Sequence, residues 1–465
     1  MSETQPTLKR SMGLMAVTIY GVGDMLGAGI YGQVGVAARE MGNTIWMAYA
    51  LSALAALLTG LTYASLGSRY PRAAGAAYVT HRAFNWTGLA YVLGLAVLAS
   101  GLTSMATGTQ VVTGYLCDAM GLKTKLEGGG TPYYVYLFFY GYLALIMLIN
   151  LRGIKESTWA NALCTTVEVS GLLIIIAVGV RYWGGVDYLE TPVVGNVDGE
   201  ITRQAITLPF LMSGAVLTFF AFIGFEDLLN VSEEVKNPKR NFPLGLIMAV
   251  VIATLIYMAI AITAVSVVPH EKLAKSTAPM VDVMKVAAPW FPAFLFTFIS
   301  IFAVANTGLL NYIMGSRLLY GMANQGLLPR GLARVHPTRH TPHVAILVIL
   351  LIVAVLVLLG DIGALAAATS TLLLLAFTVV NVAWVVLKNR AGEPRGGFEC
   401  PRIVSAAGAV VCLSLVGARI YEAQSRLAAK GFWEAYRPLL IAAGILVVIT
   451  LVYVVRRIAK FLANV

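Results

Sequence analysis

Charge is what this sequence lacks most. Only 12% of its 465 residues are charged, against 58% that are hydrophobic. A soluble domain carries roughly 25% charged residues. So little charge cannot cover a globule with polar surface, which leaves lipid as the solvent. Cysteine is also scarce. Cys117, Cys164, Cys400 and Cys412 form no Cys-x-x-Cys pair, and Cys164 and Cys412 lie well inside apolar runs. They read as free thiols rather than as a disulfide framework or a metal centre. The polar loops hold no nucleophile motif and no phosphate loop, and no stretch is long enough for a sizeable soluble domain. A membrane-embedded enzyme or sensor is therefore the weakest reading, and the chain reads as a non-enzyme. There is no cleavable signal either: Met1 to Ser11 is short and polar, and the apolar run after it is too long and has no small-residue cleavage site.

What is present is a series of apolar runs. They lie at about 13–40, 43–67, 86–117, 134–150, 156–182, 207–233, 243–268, 288–322, 343–360, 363–388, 403–424 and 436–458. Each is near the 20 or so residues that cross a bilayer as a helix, in which every backbone polar group is bonded internally. The fold class is thus all-α integral membrane with about twelve spans, in one transmembrane domain over 1–465. The net charge of +11 does not point to nucleic acid. The basic residues sit in short loops between the spans, among them Lys9, Arg10, Arg69, Arg72, Arg82, Lys236, Lys239, Arg240, Arg330, Arg334 and Arg339. With the N-terminus inside, 21 of the 33 lysines and arginines fall on the inner side. That bias predicts a cell (inner) membrane protein with both termini cytoplasmic. His336, His340 and His343 share one basic loop and read as solvated residues rather than metal ligands. Nothing in the sequence signals an oligomeric state.

Two runs have a weak point in mid-membrane. Run 1 carries Gly21, Gly23, Gly27 and Gly29. Each glycine costs a helix interior about 1 kcal/mol relative to alanine. If the helix unwinds at Gly27-Ala28-Gly29, the N–H groups at the start of the next half-helix meet the membrane interior with the positive end of a dipole, a seat for a carboxylate. Close helix packing through small residues explains the same pattern equally well. Run 6 reads Phe219-Phe-Ala-Phe-Ile-Gly224-Phe-Glu226-Asp227. A carboxylate inside an apolar run costs several kcal/mol unless satisfied, and the first turn of a new half-helix would satisfy Glu226. That structural role is favoured over proton binding. Phe219, Phe220, Phe222 and Phe225 have a reading as lipid-facing bulk, but at least one beside the break is expected to line or gate the site. Runs 1 and 6 are five spans apart, so the second unit starts from the opposite side of the membrane, which is the pattern of inverted repeats with a site at their interface.

These segments together resemble the amino acid–polyamine–organocation (APC) transporter superfamily, nearest the bacterial branch close to the cationic amino acid transporters. The motifs are Gly27-Ala-Gly-Ile-Tyr31, Phe219 to Glu226, Ser232-Glu-Glu-Val-Lys-Asn-Pro-Lys-Arg-Asn-Phe-Pro243, and Ser316 to Ala323 followed by Gly326-Leu-Leu-Pro329. The resemblance covers essentially the whole chain, and the loop after run 6 is its most specific part. It implies the leucine-transporter fold: a five-helix repeat over 13–182, its inverted partner over 207–388, and two further helices over 403–458, with helices 1 and 6 interrupted. It implies secondary active transport of amino acids by alternating access, in symport or exchange, with polyamine or organic cation transport as the alternative. The backbone N–H groups of Gly27, Ala28 and Gly29 would hold the substrate carboxylate. The carbonyls of Met25, Phe220 and Ile223 would hold its amine. Phe220, with Phe222, would form an aromatic gate. Ser104, Met105, Asn306 and Asn311 are candidates for selectivity. No cofactor or metal is implied; the partners are an amino acid and the lipid bilayer.

Two acidic residues remain. Asp24 lies one turn before the first break, at the unfavourable negative end of its half-helix, and needs a proton, a cation or water. Facing a watery cytoplasmic vestibule is the simplest solution. Glu168 lies inside run 5, where a fixed charge is costly. Some proton-coupled relatives carry a Lys near this position; the Glu departs from that pattern yet can also cycle a proton. Its other reading is a neutral Glu bonded to the unwound part of helix 1. Around Ala303-Val-Ala-Asn-Thr307 run 8 has no clear Ser/Thr pair, which argues against a sodium site. Glu168, Glu226 and Asp24 are the candidates for proton coupling.

Overall fold

The computed structural model describes residues 12–71, 75–126, 130–152, 155–197, 200–324, 327–336, 339, 341–359 and 362–462. Lys9, Arg10, Arg72, Gly326 and His340 lie outside the described residues. Among those described, ten helices are long and apolar enough to cross a membrane. Two shorter apolar helices, Leu14–Met25 and His343–Leu359, complete twelve spans. Leu14–Met25 is short because span 1 is broken: it continues as Ala28–Tyr31 and Gln33–Met41. The others run Ile45–Arg69, Thr87–Ala119, Tyr133–Arg152, Lys155–Gly179, Leu208–Thr218 with its continuation, Pro238–Val267, Ala293–Asn324, Ile362–Asn389, Arg402–Ser425 and Leu427–Leu462. The expected all-α membrane fold of about twelve spans is the one observed.

Burial sorts the spans into a centre and a rim. In spans 3 and 6, 72% of the apolar window is buried inside the protein; in spans 4 and 12 it is 22%. Span 4 accordingly shows Leu137, Leu145 and Leu148 on its surface, and span 12 shows Val447, Val448 and Leu451. Large apolar side chains exposed in this number suit contact with lipid.

Several boundaries differ from the expected ones. Span 7 starts at Pro238 rather than 243, because proline is well placed in a first turn whose N–H groups need no partner. Span 8 starts at Ala293 rather than 288, after Pro292. The chain is also not purely helical. The loop between spans 5 and 6 holds an antiparallel hairpin, Val193–Val197 with Glu200–Arg203. Short helices Gly75–Phe84, His270–Leu273 and Pro279–Ala287 occupy other loops.

Candidate substrate site

The two weak points break as the glycines suggest, and the breaks touch. Gly27 adopts φ +122° and Gly224 φ +124°, a region that L side chains rarely enter. A Cβ on Gly224 would stand 2.7 Å from the backbone C and O of Asp24. One on Gly29 would stand 2.4 Å from the Cα of Ala221. Spans 1 and 6 thus meet backbone to backbone where each is unwound. After the break span 1 resumes at Ala28, with the N–H groups of Ile30 and Tyr31 donating to the Gly27 carbonyl at 3.1 and 3.0 Å. Span 6 tightens into a 3-10 turn at Phe219–Phe222, opens at Ile223 and resumes as a 3-10 helix, Asp227–Glu234.

Side chains from neighbouring spans seal the unwound backbone. The Tyr257 hydroxyl of span 7 lies 2.6 Å from the carbonyl oxygens of both Met25 and Ala221. The Thr307 hydroxyl of span 8 donates to the Leu26 carbonyl at 2.8 Å. The Tyr49 hydroxyl donates to Gly29 at 3.3 Å, and Tyr115 to Tyr31 at 2.7 Å. Of the carbonyls expected to hold an amine, Met25 thus shares the Tyr257 phenol with Ala221. Phe220 accepts the N–H of Ile223 at 3.3 Å. Each oxygen keeps a second lone pair for a ligand. Sequence reasoning missed Tyr257, Tyr49 and Thr165. A tyrosine within an apolar run carries no local mark of which carbonyl it will meet.

Phe219, Phe220, Phe222 and Phe225 are all buried, so none is lipid-facing bulk. Phe222 packs edge-on against Tyr257 with centroids 5.1 Å apart, and Phe225 lies against Tyr63 and Phe377. Phe220, 3% exposed, is left beside the break.

Four carboxylates surround the breaks: Asp24, Glu168, Glu226 and Asp227, each buried. Among the described residues none of them forms an ion pair. Glu226 reaches back so that its Oε2 accepts the Gly224 N–H at 2.9 Å, a cap on the break itself. Asp24 departs from the expected vestibule position. It is 2% exposed, and its Oδ2 is buried without a hydrogen-bond partner. Glu168 is wholly buried, with the Asn306 side chain as its polar neighbour and Asp24 within electrostatic reach. Its backbone carbonyl, not its carboxylate, meets span 1, through the Tyr31 hydroxyl at 3.1 Å. The neutral-Glu arrangement bonded to unwound helix 1 is thus absent among the described contacts.

The selectivity candidates separate. Asn311 lines a cavity of about 40 Å³ together with Ile223, Glu226, Asp227, Ser100 and Gly101. Ordinary ligand pockets start at roughly 300 Å³, so this conformation is nearly closed around that side. Asn306 faces span 5, its Nδ2 3.3 Å from the Thr165 hydroxyl. Ser104 and Met105 are buried in span 3 and do not line the cavity.

Twelve spans with two that unwind against each other define a membrane transporter built around discontinuous helices. The sequence profile of the amino acid permease family matches residues 12–455, and the chain belongs to that family. It is 28% identical to the methylthioribose transporter of Bacillus subtilis over 88% of each chain. It is 26% identical to the branched-chain amino acid permease BcaP of the same organism, over 89% of this chain and 88% of that one. It is 29% identical to the vacuolar cationic amino acid transporter 4 of Arabidopsis thaliana, over 82% of this chain and 64% of that one. The family and these relatives are transporters, not enzymes.

Proposed function

We propose that this chain is an amino acid permease of the cell membrane that works by alternating access, with both termini cytoplasmic. The observation that carries the reading is the meeting of the two breaks at Gly27 and Gly224. It brings half-helix N–H groups and unwound carbonyls within reach of one small zwitterion. Gly27, Ala28 and Gly29 would take the carboxylate by their N–H groups. Met25, Phe220 and Ile223 would take the amine by their carbonyls. Phe220 would cover the substrate, and Asn311 would meet it from span 8. The matched breaks five spans apart support a repeat over 13–182 and an inverted one over 207–388. The bias of Lys and Arg supports the orientation.

A proton is the proposed coupling ion and Glu168 its carrier, because a buried carboxylate with no ion-pair partner must shed its charge or meet a cation. If Glu168→Gln leaves uptake driven by a pH gradient unchanged, Glu168 is not the carrier.

The test of the function is uptake of radiolabelled amino acids into proteoliposomes, with polyamines and methylthioribose as competitors. Saturable uptake of at least one amino acid is expected, with weak competition by amines that lack a carboxylate. Equal competition by such amines would move the assignment to organic cations. Equal competition by methylthioribose, which has neither group, would remove the role of the carboxylate seat.

A further inference from the structure

A second polar cluster stands far from the breaks, between the loop that joins spans 5 and 6 and the loop that joins spans 7 and 8. Glu190 belongs to the first loop; His270 and Glu271 open the short helix His270–Leu273 of the second. One ligand atom from each of the three lies within 4.8 Å of the other two. His270 is 5% exposed, and its Nε2 is buried without a hydrogen-bond partner. The Glu271 Oε1 lies 3.2 Å from that nitrogen, yet the pair does not meet hydrogen-bond geometry. Two ligands held at about 2.0–2.1 Å on a tetrahedral ion are about 3.3 Å apart. The 3.2 Å between His270 and Glu271 therefore matches the spacing of neighbouring ligands.

Glu190 is held in place from behind. Its carboxylate accepts the Asn43 Nδ2 at 3.1 Å and pairs with Arg203 at 2.5 Å. Its backbone carbonyl accepts the Asn43 N–H at 2.8 Å. A carboxylate has about four lone-pair sites, so two such partners leave room for a metal and fix the direction from which it is bound. Glu271 is 59% exposed at its side chain, which supplies an entry path.

We propose that Glu190, His270 and Glu271 form a binding site for a divalent transition-metal cation of the zinc type. One imidazole and two carboxylates suit zinc and its first-row neighbours. Calcium, which takes six to eight oxygens, and magnesium, which demands an octahedral oxygen shell, fit this set poorly. The metal would tie the two loops together. The helix His270–Leu273 already leans on the second half of span 1, where a Cβ on Gly35 would stand 2.8 Å from the Leu273 carbonyl. Metal occupancy would therefore brace the loop that rests on that half-helix.

The test is titration of the chelator-treated, tag-free protein with zinc chloride alone, followed by calorimetry. Its outcome does not depend on which substrate is carried. One equivalent of zinc per chain is expected, with His270→Ala and Glu190→Gln each weakening binding by at least about tenfold. His336→Ala, in a different loop, should leave it unchanged. The melting temperature of each variant without metal identifies any that fails to fold. Glu271→Gln, at an exposed position, then stands in for it, with the same loss expected. Zinc bound equally by the wild type and the folded variants, or not bound by the wild type at millimolar concentration, overturns the site.

Discussion

The two breaks share a backbone solution and differ in what surrounds it. At Gly27 the space for a Cβ is taken by the Thr307 hydroxyl, 2.1 Å away, a side chain that can be removed. At Gly224 it is taken by the backbone of the other break. The Gly27 turn therefore rests against a span 8 side chain, whereas the Gly224 turn rests against the main chain of span 1. The acidic residues differ in the same sense. Glu226 bonds its own break, while Asp24, at the negative end of a half-helix, has an oxygen with no partner. One carboxylate completes the local structure and the other burdens it.

The largest expected effect breaks this comparison directly. Gly224→Ala should abolish uptake and lower the melting temperature, since the left-handed φ costs about 1–2 kcal/mol and the clash about 1–3 more. Gly27→Ala should also fail, but adding Thr307→Ala should restore part of its thermal stability. No single truncation should rescue Gly224→Ala, because the obstacle there is main chain. Rescue of both, or of neither, in melting curves would erase the distinction.

Next in size is Glu226→Ala, which leaves the buried Gly224 N–H without an acceptor and should cost about 1–3 kcal/mol of stability. Glu226→Gln keeps an acceptor oxygen and should cost less. Asp24→Asn should leave thermal stability level or raise it, since the amide never carries a charge that burial would penalise. Tyr257→Phe should cost about 0.5–1.5 kcal/mol and weaken both breaks together, read as a fall in melting temperature.

The smallest effect lies away from the breaks and serves as their control. Arg82 pairs with Glu393 at 2.7 Å, and the Tyr70 hydroxyl donates to the same carboxylate at 2.7 Å. Burial alone would raise the Glu393 carboxyl, but the hydrogen bonds from Arg82 and Tyr70 hold it below the usual carboxylate value. A depressed carboxyl adds stability above the unfolded value of about 4.3 and loses it as pH falls through the lower folded value. Wild type should thus be slightly more stable than Glu393→Gln at neutral pH, with the gap closing below about pH 4.

Much of the frame was legible in the sequence because lipid imposes it. Apolar length marks the spans, and glycine in mid-span marks where the backbone leaves the helix. What could not be read is how the spans turn towards one another. Asp24 looked suited to water because the sequence does not show that packing leaves it 2% exposed. Ser104 and Met105 looked suited to the cavity because rotation about span 3 is set by packing against spans 8 and 10. Asn311 and Asn306 lie five residues apart on one helix, yet one faces the cavity and the other faces span 5. The hairpin at 193–203 was missed because its strands are short and sit in a loop between long apolar runs.

The Tyr257 hydroxyl stands equally close to two carbonyls, yet a phenol owns a single hydrogen. It can serve Met25 or Ala221 at any instant, never both. Any motion that parts the two unwound segments forces that hydrogen to stay with one of them. The other carbonyl is then left without its donor, at the cost of one buried hydrogen bond, about 1 kcal/mol.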